Sequence, residues 1–147
     1  MPEVKPQQGE GGLLDPKIID PSLMRINADD HAVLMGGRCG DCGAISFPRT
    51  PVCASCLSEG VEACDMPQTG TLYAFSVVHQ ARKNWVTPYA IGYVDLPNGK
   101  RVFAHLKAPH DKLAPGMTVG LTHGVVGHDD EGRPLMTYLF TPAHHEA

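Results

Sequence analysis

No run of about eighteen apolar residues occurs anywhere in the 147-residue chain, which excludes a membrane-spanning helix. An excess of positive charge is also missing: 12 Lys and Arg stand against 16 Asp and Glu, a net charge of −4. A domain that holds nucleic acid mainly by neutralising phosphates shows the opposite balance. No charged segment followed by an apolar h-region marks a signal peptide, so a reducing cytosol is the expected setting and disulfides are not the default state of the cysteines. The eight histidines include no H-x-x-x-H or H-E-x-x-H spacing, and each is read as structural. Gly36-Gly37 and Gly40 make no dinucleotide fingerprint, because no strand-to-helix turn or βαβ unit follows them. What the chain does have is punctuation: 16 Gly and 13 Pro interrupt it too often for a helical bundle. The length suits one ordinary domain, or one small domain with a metal-stabilised module, and the cysteines favour the second.

Four of the five cysteines form two clips, Cys39-Gly40-Asp41-Cys42 and Cys53-Ala54-Ser55-Cys56. A C-x2-C clip reverses the chain so that both sulfurs face one ion at about 2.3 Å, and a second clip completes an all-thiolate shell with no position left for water. Structural Zn2+ is the expected occupant. A single iron suits the same tetrahedral sulfur set, and two disulfides or a redox pair are the remaining alternatives. Gly43 follows the first clip, where positive φ lets backbone N–H groups turn toward the sulfurs. Leu57 stands at that place in the second clip, which predicts a poorer geometry there. Cys64 is unmatched and is read as an incidental thiol.

The first thirty residues are expected to be an extended or short-helical N-terminal arm, with Asp20 as N-cap and Pro21 opening a short helix. Residues 31–66 are expected to form the zinc ribbon, with strands from His31 to Arg38 and from Gly43 to Arg49. Short alternating segments bounded by turn residues follow, an all-β signature. Strands are expected at Thr69–Gln80, Tyr89–Leu96, Arg101–Lys107, Met117–Gly127 and Pro134–Thr141, with a helical turn at His110–Leu113 and a hairpin at Pro97-Asn98-Gly99. The fold class is therefore mainly β: a rubredoxin-like ribbon followed by a five-stranded OB-fold barrel over residues 67–142, then a flexible tail at 143–147.

A four-cysteine ribbon feeding an OB barrel resembles the DUF35 family. The resemblance is carried by the two clips, Phe47-Pro48-Arg49, the stretch Gly70 to His79, the stretch Thr87 to Leu96, and Pro115-Gly116-Met117-Thr118-Val119, covering about His31 to Pro142. It implies a non-catalytic subunit that docks to a thiolase-like catalytic subunit, the benzoylsuccinyl-CoA type among them, in thiolytic C–C cleavage or condensation. A partner role to an acyl-CoA aldolase or hydratase is the alternative the family also implies. The catalytic cysteine and histidines are then expected on the larger subunit, with a CoA thioester shared between the two.

That implication directs attention to the connection between the first two barrel strands. It carries Arg82, Lys83, the single tryptophan Trp85, Pro88, Tyr89 and Ala90. Cations suit CoA phosphates, and flat or apolar surface suits adenine and pantetheine. The plainer readings are that Arg82-Lys83 is a solvated pair, that Trp85 caps the barrel, and that Tyr89 is core. From another class, a ribbon-plus-OB module also suits nucleic acid, but only Arg82-Lys83 with Trp85 and Lys100-Arg101 with Phe103 hint at the required groove. Neither nucleic acid nor membrane is an expected partner.

Overall fold

The computed structural model describes residues 15–81 and 83–143; the first part of the expected arm, Arg82 and most of the expected tail lie outside the described residues. Two short strands, β1 (Lys17–Ile18) and β2 (Met24–Ile26), precede β3 (Ala32–Cys39), β4 (Ile45–Ser46) and β5 (Val61–Asp65). The barrel strands are β6 (Thr69–Val78), β7 (Tyr89–Asp95), β8 (Arg101–Leu106), β9 (Thr118–His128) and β10 (Pro134–Pro142). A single 3-10 turn at His110–Lys112 lies between β8 and β9.

Pairing runs β9–β6–β7–β8–β10, and β10 returns to β9, so five strands close on themselves. Only β8 and β10 meet in parallel within this ring, through His105 with Leu139 and Leu106 with Phe140. This is the OB arrangement, and closure leaves no long unpaired edge. Alternation explains the inward set. Ala90 and Val94 of β7, and Val102, Ala104 and Leu106 of β8, are buried, while Tyr93, Arg101 and Phe103 point out. Gly92 belongs to the inward row because a Cβ there would stand 2.5 Å from the Ala74 carbonyl and 2.9 Å from Leu106. Gly99 takes φ +89°, and Asn98 accepts the Lys100 N–H at 3.1 Å, so the hairpin forms as the Asn-Gly pair predicts.

In the ribbon, β2 pairs with the first half of β3, and β4 and β5 flank its second half. The expected helix after Asp20 is absent. Asp20 instead accepts the Ser22 N–H and hydroxyl, which makes a local turn, and the chain then enters β2 as a strand. The expected strand from Gly43 to Arg49 shortens to Ile45–Ser46.

Ribbon and barrel share one core. Met24, Ala32, Leu34 and Met66 pack in the same buried cluster as Leu72, Val94, Val119 and Phe140. Phe47 meets Tyr138 of β10 edge-on at 6.2 Å, and the His123 ring lies 3.1 Å from the Asp30 carbonyl. Cys39, Cys53 and Val61 form a second, much smaller cluster at the far end of β3.

Candidate metal centre and ligand-facing loop

The four clip cysteines converge, with all four sulfurs within 4.8 Å of one another. Cys39 Sγ lies 3.6 Å from Cys56 Sγ, and Cys42 Sγ lies 3.6 Å from Cys53 Sγ. A tetrahedron with metal–sulfur bonds of about 2.3 Å has edges of about 3.8 Å, so these two sulfur pairs stand close to the spacing that Zn2+ requires and the all-thiolate donor set fits it. The two clips are built alike. Gly43 and Leu57 donate their N–H groups to the Cys39 and Cys53 carbonyls at 2.9 Å. Cys39 and Cys53 donate in turn to the Ala44 and Ser58 carbonyls at 2.9 and 2.8 Å. Gly43 adopts φ +79° and Leu57 φ +66°. The second clip therefore reaches the same geometry that the sequence predicts it would miss, with a leucine held in a region that L residues avoid.

Backbone dipoles prepare the cage for ionised sulfur. The N–H groups of Cys42 and Asp41 draw Cys39 down to about 6, and those of Cys56 and Ser55 lower Cys53. At Cys56 the Ser58 N–H favours the thiolate, yet the Cys39 and Cys42 sulfurs push the group up to about 12. Cys42 is also raised: the Ala44 N–H favours its thiolate, but the Cys53 sulfur, burial and Cys39 act against it. Four close thiols resist carrying four charges on their own, and a divalent cation removes that resistance.

The second expected site lies at the other structural unit. Lys83 is exposed, as is Pro88, whereas Ala90 is buried in the barrel core at 1% exposure. Trp85 and Tyr89 come together with a residue that sequence reading did not assign to the site, His105. Trp85 stacks on the His105 ring at 5.6 Å with 13° between planes, and Tyr89 lies 5.0 Å from the same ring. Burial holds His105 below its usual value, which keeps the imidazole neutral. The loop is tied to β9 through backbone: Val86 donates to Val126, His128 donates to Asn84, and Trp85 bridges Gly127. Gly127 is required there, because a Cβ would strike the Asn84 carbonyl.

Residues 28–62 match the family described as ChsH2, rubredoxin-like zinc ribbon domain, and residues 64–123 match ChsH2, C-terminal OB-fold domain. A protein named benzoylsuccinyl-CoA thiolase subunit BbsA from Thauera aromatica is 36% identical over 141 residues, 95% of this chain and 98% of that protein. The BbsA protein of Geobacter metallireducens is 32% identical, with 94% of each chain covered. A DUF35 domain-containing scaffold protein of Methanocaldococcus jannaschii is 31% identical over 88% of this chain and 94% of its own length. The chain belongs to the DUF35 family. Among solved structures, the Ltp2-ChsH2(DUF35) aldolase superposes with a TM-score of 0.64 at 29% identity, covering 76% of this chain and 86% of that one.

In this DUF35 chain the two clips are also joined outside the sulfurs. The Ser58 hydroxyl donates to Asp41, the Gly60 N–H donates to Ser58 Oγ at 2.9 Å, and the Gly40 N–H donates to the Gly60 carbonyl at 2.9 Å. Neither Asp41 nor Ser58 stands out in sequence, because each is a common turn residue whose partner lies 17 positions away. Gly36 and Gly37, which match no nucleotide motif, serve close packing in β3. A Cβ on Gly36 would meet Met66 Sδ at 2.6 Å, and one on Gly37 would meet Val61 at 2.7 Å.

Proposed function

We propose that the chain is a non-catalytic zinc subunit of a thiolase-like acyl-CoA enzyme complex. It docks to the catalytic subunit and helps hold the CoA thioester. The observation that carries this reading is end-to-end similarity: a thiolase subunit is matched over 95% of this chain and 98% of its own length. In this reading the ion shapes the ribbon tip as a docking element, since Cys42, Cys56 and Leu57 are exposed around a cage whose other two sulfurs are buried. Lys83, with Arg82, Trp85, Pro88, Tyr89 and Ala90, makes up the loop assigned to ligand or partner; Ala90 contributes through the packing beneath it. The likeness to an aldolase assembly supports a second reading, partnership with an acyl-CoA aldolase. A cytoplasmic location is part of the proposal.

Tagged full-length chain, expressed in its native cells, should retain a thiolase-type protein identifiable by mass spectrometry, and the pair should cleave or form acyl-CoA thioesters. Cys39→Ser with Cys42→Ser should abolish the complex. Full assembly and activity in that double variant would refute the docking role, and an aldolase in place of a thiolase would select the second reading.

A further inference from the structure

The outward side chains of β6, β7 and β8 form a ladder of half-exposed rings on the outside of the barrel. In β7 the alternation that sends Ala90 and Val94 inward sends Ile91 and Tyr93 outward, and in β8 it sends out Arg101, Phe103 and His105. Register sets Tyr93 opposite Phe103 and Ile91 opposite His105. Tyr93 and Phe103 meet at 5.4 Å, and beyond Ile91 the ladder runs into the stack of His105 with Tyr89 and Trp85. At the other end a β-bulge between Leu72 and Ala74 turns Tyr73 out beneath the Arg101 guanidinium, whose carbon lies 3.5 Å from the ring centroid. Asp95 fixes Arg101 in turn at 2.6 Å. Opposite Tyr93 and Ile91, β6 places only the small residues Ala74 and Ser76, which leave the rings standing proud. Tyr73, Tyr93 and Phe103 remain 54%, 46% and 49% exposed.

Three half-exposed rings leave roughly 300 Å2 of apolar surface in one patch, a size at which exposed apolar surface marks a binding site. Aromatic rings and arginine are also the groups that anchor protein interfaces. Stacked bases suit the ladder poorly, because Arg101 lies over Tyr73 and spends its charge on Asp95, while Tyr93 and Phe103 turn against each other with 59° between planes. A pre-ordered patch of this size is instead the core of a standard interface of about 800 Å2 per partner. A second copy of the chain is a poor match. Asp95 is the only carboxylate in the three strands and is already paired, so Lys107, exposed at the end of β8, meets no free acid on the same face of another copy. We infer that this face docks onto a different protein, seating Tyr73, Tyr93 and Phe103 on an apolar surface flanked by carboxylates. The inference rests on the function proposed above only in taking that protein to be the catalytic subunit.

The partner retained by tagged full-length chain in its native cells, once purified, can be titrated with variants of that chain. Tyr93→Ala with Phe103→Ala should weaken the complex by at least about thirtyfold, the loss of one interface anchor, with metal content unchanged. Ser76→Glu removes no packing and sets an acid against the carboxylates of the partner, so it should weaken the complex by about tenfold at unchanged melting temperature. Where the double variant melts earlier, Ser76→Glu decides. Carbodiimide should join Lys107 to a partner carboxylate, and Lys107→Gln should abolish that cross-link. Undiminished affinity in Ser76→Glu, no stoichiometric partner on the wild-type chain, or no cross-link to Lys107 would overturn the inference. So would a wild-type chain that uses these rings to pair with itself or to hold single-stranded oligonucleotide at physiological salt. A partner lost from the Ser76→Glu chain that is not an acyl-CoA enzyme supports the face and removes the proposed function. A thiolase-type partner lost only in Cys39→Ser with Cys42→Ser supports the proposed function and overturns the face.

Discussion

Removal of the metal should unfold the ribbon tip and leave the barrel folded. Between Cys39 and Val61 the chain has little apolar support of its own: the second cluster consists of Cys39, Cys53 and Val61, with Ala44 packed against it. Burying a valine contributes about 1.5–3 kcal/mol, whereas fixing one residue's backbone costs about 1–2 kcal/mol. Val61 therefore offsets the ordering of no more than about three residues in a tip of roughly twenty. Structural zinc in small peptides contributes on the order of 10–16 kcal/mol, far more than any other contact at the tip, so the ion is what holds the clips in place. The strands nearer the barrel differ, since Met24, Ala32, Leu34 and Met66 sit in the main core. After chelation at neutral pH, hydrogen exchange should accelerate for amides from Gly40 to Gly60, including the bonds from Gly43 and Leu57 to the clip carbonyls. Protection at Leu34, Met66, Leu72 and Phe140 should persist, and Trp85 emission should not change. Loss of barrel protection together with the tip would refute the partition into two energetically separate clusters. Retained protection in the tip would refute the metal's role altogether.

Three further outcomes are expected. Leu57→Gly should raise the melting temperature of metal-loaded protein by the equivalent of about 0.5–1 kcal/mol, the left-handed strain released less the added freedom of the unfolded glycine; a destabilised variant would assign Leu57 a packing role its 75% exposure does not reveal. Gly127→Ala should cost about 1–3 kcal/mol and red-shift Trp85 emission, because the new methyl collides with the Asn84 carbonyl and lifts the loop; unchanged emission would show that the loop is not held there. His105 has a folded pKa lowered by burial, so below its unfolded value of about 6.5 the unfolded chain binds the proton more readily and stability falls with falling pH. His105→Phe should reduce the loss of denaturation midpoint between pH 7 and pH 5, and an identical slope in the variant would place the acid sensitivity elsewhere.

The parts of this molecule that were legible in the sequence are those whose causes are local. Cysteine spacing encodes the cage because a C-x2-C clip closes within itself, and the barrel strands declare themselves through alternation such as Ala90, Gly92 and Val94 against Tyr89, Ile91 and Tyr93. The missed elements depend on partners distant in the chain. Val61–Asp65 offers only Val61, Ala63 and Cys64 as apolar residues and becomes a strand because β3 supplies its hydrogen bonds. Asp20-Pro21 carries the signals of a helix start, but a side-chain-capped turn satisfies the same groups, and pairing of Met24 with Leu34 then favours a strand. His105 joined the site for the same reason: β-pairing and a loop tied to β9 bring Trp85 and Tyr89 to its ring.

The exposed cage cysteines and Leu57 stand at a ribbon tip backed only by the small cluster of Cys39, Cys53 and Val61, while the loop that carries Trp85 is tied to β9, whose support is the barrel core. Under the proposed function, docking through the tip would be metal-dependent and ligand contact at the Trp85 loop would not. The Phe47–Tyr138 and His123–Asp30 contacts lie where the ribbon meets β9 and β10, and β9 is the strand to which that loop is tied. Under the proposed function, short paired strands thus connect the tip assigned to the partner with the loop assigned to the ligand, so that one small chain would fix the position of the second relative to the first.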